Sequence, residues 1–254
     1  MRATGEFVHS AFETVAENPV QTIAGIVIGG CIIAGLTIGV TEVAVGALNN
    51  VIAYYSKGNG ALTVEADISL NENSTGITGG DTEDLVYSGS KTMKLGKKST
   101  GIYGQKNINF ASGSNIELNG DKSVGIFAKG TSGVISSNGN IKFTKENSIG
   151  LYGANGATIN DKIASMDFTN TNAKNNIGAY LAGAKWERDS VLTFSSAHEK
   201  GNIYLFAQGG SEGATDKGNK ITLKNIFNVS PSNDPTGNEK TIGMYLDTAV
   251  KGKS

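Results

Sequence analysis

The sequence predicts an all-β chain: a parallel β-helix (β-solenoid) of about seven coils of ~25 residues, preceded by an N-terminal hydrophobic helix. Three observations predict it: a composition built for tight turns, a five-residue motif that recurs after residue 61, and a second apolar column on the same beat. The 254 residues include 35 Gly and 25 Asn against 3 Pro. Both abundant residues tolerate positive φ, so the chain turns often and sharply. Charge is balanced, with 22 basic and 23 acidic residues, which argues against a nucleic-acid binder. One Cys excludes an internal disulfide, and two His leave little for a metal cluster or a His relay. No cofactor and no metal is expected.

The motif reads small or polar, any residue, Gly, aliphatic, aromatic. Its copies are STGIT at 74–78, STGIY at 99–103, SVGIF at 123–127, SIGLY at 148–152, NIGAY at 176–180 and TIGMY at 241–245. A degenerate copy, NIYLF at 202–206, has Tyr204 where the glycine belongs. The second column pairs apolar residues two apart: Ile68/Leu70, Met93/Leu95, Ile116/Leu118, Ile141/Phe143, Met166/Phe168, Leu192/Phe194 and Ile221/Leu223. A third, weaker strand surfaces as Ile108/Phe110, Val134 and Ile159. Alternation at period two means strands. A unit of ~25 residues buries too little surface alone and must stack on its neighbours. A propeller blade needs about 40 residues and four strands, more than each unit holds. Ile102, Ile126, Leu151 and Leu205 are expected to form one inward column, and Ile116, Ile141 and Met166 another. PSNDPTGNEK at 231–240 is expected to loop out of the wall.

Residues 1–57 are a different material from the repeat region at 58–254. Residues 23–40 are almost wholly apolar, and no charge lies between Glu17 and Glu42. Asn18 and Pro19 read as an N-cap followed by proline in the first helical position. A helix over about residues 19–41 is long enough to cross a bilayer core. Gly25/Gly29 and Gly35/Gly39 have the small-xxx-small spacing that lets membrane helices approach. Two other readings stand beside the span: an export signal cleaved after Val45-Gly46-Ala47, and a Gly-rich buried helix. The stretch before the run is acidic, unlike an export signal. Cys31 reads as apolar filler.

The N/S-x-G-I/L-Y/F repeats, interleaved with N-I-x-F/L strands and rich in Asn, Lys and Gly, resemble passenger domains of bacterial autotransporter adhesins. The texture is that of Fusobacterium- and Leptotrichia-like β-helix repeats, over about residues 61–250. The resemblance implies a right-handed β-helix, exported and displayed at the bacterial cell surface or outer membrane. It implies adhesion, aggregation or host contact, with a host or bacterial surface protein or glycan as partner. Membrane contact would fall to residues 19–41, and no nucleic acid is expected.

β-Helices also carry polysaccharide lyases and hydrolases, whose sites group acids on one face beside Arg or Lys. The nearest approach is KWERDS at 185–190, where Glu187 and Asp189 flank Arg188 beside Trp186. Neighbouring strand residues point to opposite faces, so a solvated charged turn is the simpler reading. Asp81, Glu83 and Asp84 form an acidic knot, read as a solvated loop before a weak Ca²⁺ site. His198 reads as a surface residue. The phosphate-cradling GxxxxGK[ST] and the nucleophile elbow GxSxG are both absent. No catalytic residue is expected. A phage or secreted fibre stem would share the fold and trimerise.

One constellation remains, the aromatic column of Tyr103, Phe127, Tyr152, Tyr180, Phe206 and Tyr245. It is either a packing stack that pins the register of the coils or a ligand-contacting strip. In a flat strand the aliphatics flanking each glycine, such as Ile149 and Leu151, share one face. With those inside, the rings form an outward apolar strip suited to sugar rings or a docking partner.

Overall fold

Most coils lay down three short strands, one on each of three parallel sheets, and Leu192–Ser195 pairs with Phe227–Ser230 in a fourth, two-stranded sheet. The computed structural model describes residues 49–56, 60–195, 201–208, 218–230 and 242–247, with the strands Cys31–Ile32, Thr37–Ile38 and Glu42–Ala44. The nine-stranded first sheet runs from Cys31–Ile32 through Val124–Lys129, Ile149–Ala154 and Ile177–Ala182 to Ile242–Leu246. The eight-stranded second sheet includes Val134–Ser137, Thr158–Asp161, Lys185–Arg188 and Lys220–Leu223. The six-stranded third sheet includes Thr92–Leu95, Asn115–Leu118, Asn140–Phe143 and Ser165–Asp167. This is a parallel β-solenoid of about six turns, where the repeat predicts seven coils.

The two inward columns fall where the alternation puts them. Ile102, Ile126, Leu151, Ala179 and Leu205 are in register on the first sheet, all buried. Ile116, Ile141 and Met166 are in register on the third, where Met166 is partly buried against the core. Two positions differ. Ile221 and Leu223 belong to the second sheet, opposite Trp186 and Arg188, and Phe227 follows Leu192 instead. The inward residue of its strand is Ile135, and Val134 is half-buried. On the outer side of the third sheet Lys94, Glu117, Lys142 and Asp167 follow one another in register. Alternating charge there favours this pairing over a slipped one.

The first motif position has a structural reason. Ser74, Ser99, Ser123, Ser148, Asn176 and Asn202 are all buried at the corner that enters the first sheet. Ser148 Oγ accepts from the Ser123 amide at 3.1 Å and donates to the Gly120 carbonyl at 3.2 Å. Asn176 Oδ1 accepts from the Ser148 amide at 2.8 Å, and Asn202 Oδ1 from the Asn176 amide at 3.0 Å. Each side chain thus satisfies a backbone donor that the corner would otherwise orphan. The residue before it is in the left-handed region at Asn73, Lys98, Lys122, Asn147 and Asn175, with φ of 54–59°.

The glycines also depart from a flat strand. A Cβ on Gly150 would meet the Gly178 carbonyl oxygen at 2.7 Å and the core rim at Phe143 and Met166. The glycine therefore turns its bare side inward, and alternation breaks there. Leu151 enters the interior cluster while Ile149 sits outside it with Tyr152. The expectation that Ile149 and Leu151 share a face is corrected by that bend. Tyr204 explains itself on the same geometry: in the glycine position its side chain enters the interior, where it is buried.

The helix expected over 19–41 gives way to strand wherever that stretch is described. Cys31 pairs with Tyr55 and Thr37 with Thr63, so both belong to the wall. No helix among the described residues is long and apolar enough to cross a membrane. The loop expected at 231–240 and His198 lie outside the described residues.

Burial makes the fold alkali-sensitive. Desolvation raises the hydroxyl of Tyr152 to about 12 and pushes those of Tyr87 and Tyr204 well above their ordinary value, Tyr204 helped by the Asp161 charge. The folded chain holds these protons where the unfolded chain releases them. Their contribution to stability is complete below the ordinary value of 10.0 and is lost as pH rises from there through about 12. The urea midpoint is expected to fall between pH 9 and pH 11.5; a flat midpoint would contradict the burial of these rings.

Candidate functional site

The aromatic column is a continuous ladder. Tyr103, Phe127, Tyr152, Tyr180, Phe206 and Tyr245 pair in register, with ring centroids 4.4–5.2 Å apart. The rings lie outside the interior cluster, with Val124, Ile149, Ile177 and Ile203 in a cluster of their own. Yet Tyr103 is 7% exposed, Phe127 3%, Tyr152 5%, Tyr180 4% and Phe206 2%. The exposed ligand strip expected from the sequence is corrected: only Tyr245, near the end of the stack, is half-buried. A ring with this little open surface stacks on its neighbours and offers no face to a sugar.

The polar groups gather on the second sheet. Ser136, Asn160 and Glu187 follow one another in register on its outer side. Asn138, Lys162, Asp189 and Lys224 sit just past the strand ends, and with Arg188 these residues line a cleft of about 440 Å³. The alternation that separates Glu187 from its neighbours holds, since Trp186 and Arg188 point inward and are buried. The solvated-turn reading of KWERDS is corrected for those two residues.

Beneath the cleft a buried carboxylate collects them. Asp161 Oδ1 accepts from Arg188 Nη1 at 2.9 Å and from the Ile163 amide at 3.1 Å. Its Oδ2 accepts from Trp186 Nε1 at 3.1 Å and from the Tyr204 hydroxyl at 2.9 Å. Arg188 Nη2 donates to the carbonyls of Ile163 and Val191. Four donors leave the carboxylate no free lone pair to abstract a proton with, so it ties three coils together. Sequence reading missed it. Asp161 stands alone in TIND, and only the same-face spacing of Trp186 and Arg188 hinted at an inward acceptor.

The acidic knot is likewise divided. Glu83 is buried and caps its own turn, accepting from the Gly80 amide at 2.7 Å and from Thr82 Oγ1 at 2.9 Å. Asp84 faces Lys106 at 3.3 Å and Asn107 at 3.0 Å, and Asp81 is exposed. The solvated-loop reading is corrected for Glu83. Among the described residues no group of His, Cys, Asp and Glu could hold a metal ion.

What the cleft can do chemically is donate and accept hydrogen bonds. With Arg188 neutralised by Asp161, the two lysines and two carboxylates balance each other around an amide-and-hydroxyl floor, a surface matched to a neutral, hydroxyl-rich or zwitterionic ligand. No family model matches the chain, and no curated protein and no solved structure matches it either.

Proposed function

We propose that the chain is a structural and adhesive β-solenoid module, exported and displayed at a bacterial surface, that acts by contact and not by catalysis. Its partner is a host or bacterial surface protein or glycan, met on the polar outer side of the second sheet. The observation that supports this is the in-register column Ser136, Asn160 and Glu187, which opens into a charge-balanced cleft above a structural carboxylate. The autotransporter-like texture of the repeats supports the export and display. This reading does not rest on a membrane helix over residues 19–41, of which the described parts, Cys31–Ile32 and Thr37–Ile38, are strand and residues 19–30 lie outside the described residues.

The second reading is a polysaccharide-degrading β-helix, favoured by Glu187 and Asp189 beside Lys162 and Lys224 in one cleft. A glycan array and whole-cell binding by the full chain separate the two. Replacing Lys162, Glu187 and Lys224 together with Ala is expected to weaken binding by at least about tenfold, since each charged hydrogen bond is worth ~1.5–3 kcal/mol. Unchanged binding places the contact elsewhere on the wall, and release of new reducing ends from a bound polysaccharide overturns the non-catalytic reading.

A further inference from the structure

Opposite charges face one another between successive coils at several places on this wall. Lys91 meets Asp67 at 3.9 Å, Lys106 meets Asp84 at 3.3 Å and Lys174 meets Glu146 at 3.1 Å. The last two strands of the second sheet break that pattern. Lys185 is in register with Lys220, and both are exposed. Their Cα atoms lie about 4.8 Å apart, and like charges set opposite each other are destabilising. Among the described residues neither lysine makes an ion pair. Thr158, Val134 and Asn107 continue the column without charge, and Asp84 beyond them already meets Lys106 and Asn107. Glu187 shares the outer face with Lys185, two residues or about 7 Å along the strand. It lines the cleft with Asp189, Lys162 and Lys224, and those four charges balance. Among the described residues, Lys185 and Lys220 therefore leave this end of the sheet with a surplus of two positive charges.

We propose that Lys185 and Lys220 form an anion seat beside the cleft, and that the ligand is an acidic glycan carrying sparse carboxylates, which rests on the surface-contact reading of the same sheet. A carboxylate placed between the two ammonium groups gives each of them one oxygen and relieves the repulsion between them. Lysine suits this seat, because each ammonium has three donors on a flexible stem and can turn to a shared acceptor. From there the hydroxyls of neighbouring sugars fall over Ser136, Asn160 and Glu187, which follow one another at the rise of one coil. The same geometry limits the charge density of the ligand. Glu187 and Asp189 lie close along the strand, so a chain with an anion on every sugar drives some of its charges against carboxylates. Sparse carboxylates meet the lysines and leave hydroxyls for the acids.

Binding of the full chain to hyaluronan, which carries a carboxylate on every second sugar, to its methyl ester and to dextran sulfate tests this. Hyaluronan should bind at least about tenfold more tightly than the ester, which keeps the hydroxyls and loses the charge. The preference should shrink as salt is raised, and dextran sulfate should bind more weakly than hyaluronan. In the double variant Lys185→Gln, Lys220→Gln the preference for hyaluronan over its ester should disappear, while the thermal midpoint is kept or rises with the repulsion gone. The double variant Lys94→Gln, Lys142→Gln removes the same charge from the exposed side of the third sheet and should keep the preference. No binding of hyaluronan, equal binding of the ester, or tighter binding of dextran sulfate each overturns the proposal. So does a preference that survives without Lys185 and Lys220, a fall in that variant's midpoint, or an equal loss in the third-sheet variant. Neutral glycans that bind on an array where hyaluronan does not would sink the anion seat and leave the surface-contact reading standing. Hyaluronan binding by a chain that attaches to no cell would do the reverse.

Discussion

Leu151→Asp is expected to cost more than about 4 kcal/mol and to unfold several coils, lowering both the thermal and the urea midpoint. The side chain is wholly buried between Ile126 and Ala179 in the interior column. A carboxylate there has no donor to meet, and burying it unpaired exceeds the stability that a single coil contributes. Because each coil is held only by its neighbours, the loss spreads along the stack from both sides. Asn109→Asp, on the exposed side of the second sheet, is the matching control and should stay within about 0.5 kcal/mol. A melting curve for Leu151→Asp that follows the parent's would show the register to be wrong.

The second large effect belongs to Asp161→Ala, at about 3–5 kcal/mol. Its removal leaves the Arg188 guanidinium charged and buried at 7% exposure, and strips the Trp186 and Tyr204 donors of their acceptor. With the Ile163 amide, four donors lose their acceptor by one substitution. Asp161→Leu alone orphans the same donors, and Arg188→Met alone should be damaging for the converse reason, a carboxylate losing its counter-charge. The pair Asp161→Leu with Arg188→Met should recover much of the loss, since two matched apolar side chains replace two matched charges. Additive losses in that double-variant cycle would mean the two groups are not coupled.

The winding of the chain was legible because the motif recurs in phase with a second apolar column. Those two signals fix which residues meet, as in Ile102 on Ile126 and Ile116 on Ile141. They also fix the ring ladder, since Tyr152 must follow Phe127 if Leu151 follows Ile126. What they leave open is direction. Period two assumes a flat strand, and the bend at Gly150, which sends Ile149 and Leu151 to opposite sides, follows from the approach of the Gly178 carbonyl. That contact is between coils and has no local signature. Asp161 was hidden for a related reason: its side-chain donors come from residues 25 to 43 positions away. The cleft shares the cause, because Lys162, Asp189 and Lys224 are unremarkable turn residues until the coils bring them together.

The inter-coil hydrogen bonds, such as Val124 to Ser99 and Ile149 to Ser123, run along the axis of the stack. A pull along that axis loads the bonds of one coil interface together and successive interfaces in series, so the weakest interface bears the whole force. Coils therefore part singly from an end. Each one surrenders ~4.8 Å of height and yields about 85 Å of extended chain. Joined to one body at its foot and gripping another at its tip, the solenoid would act as a tether that lengthens in steps, the coils still wound keeping their shape.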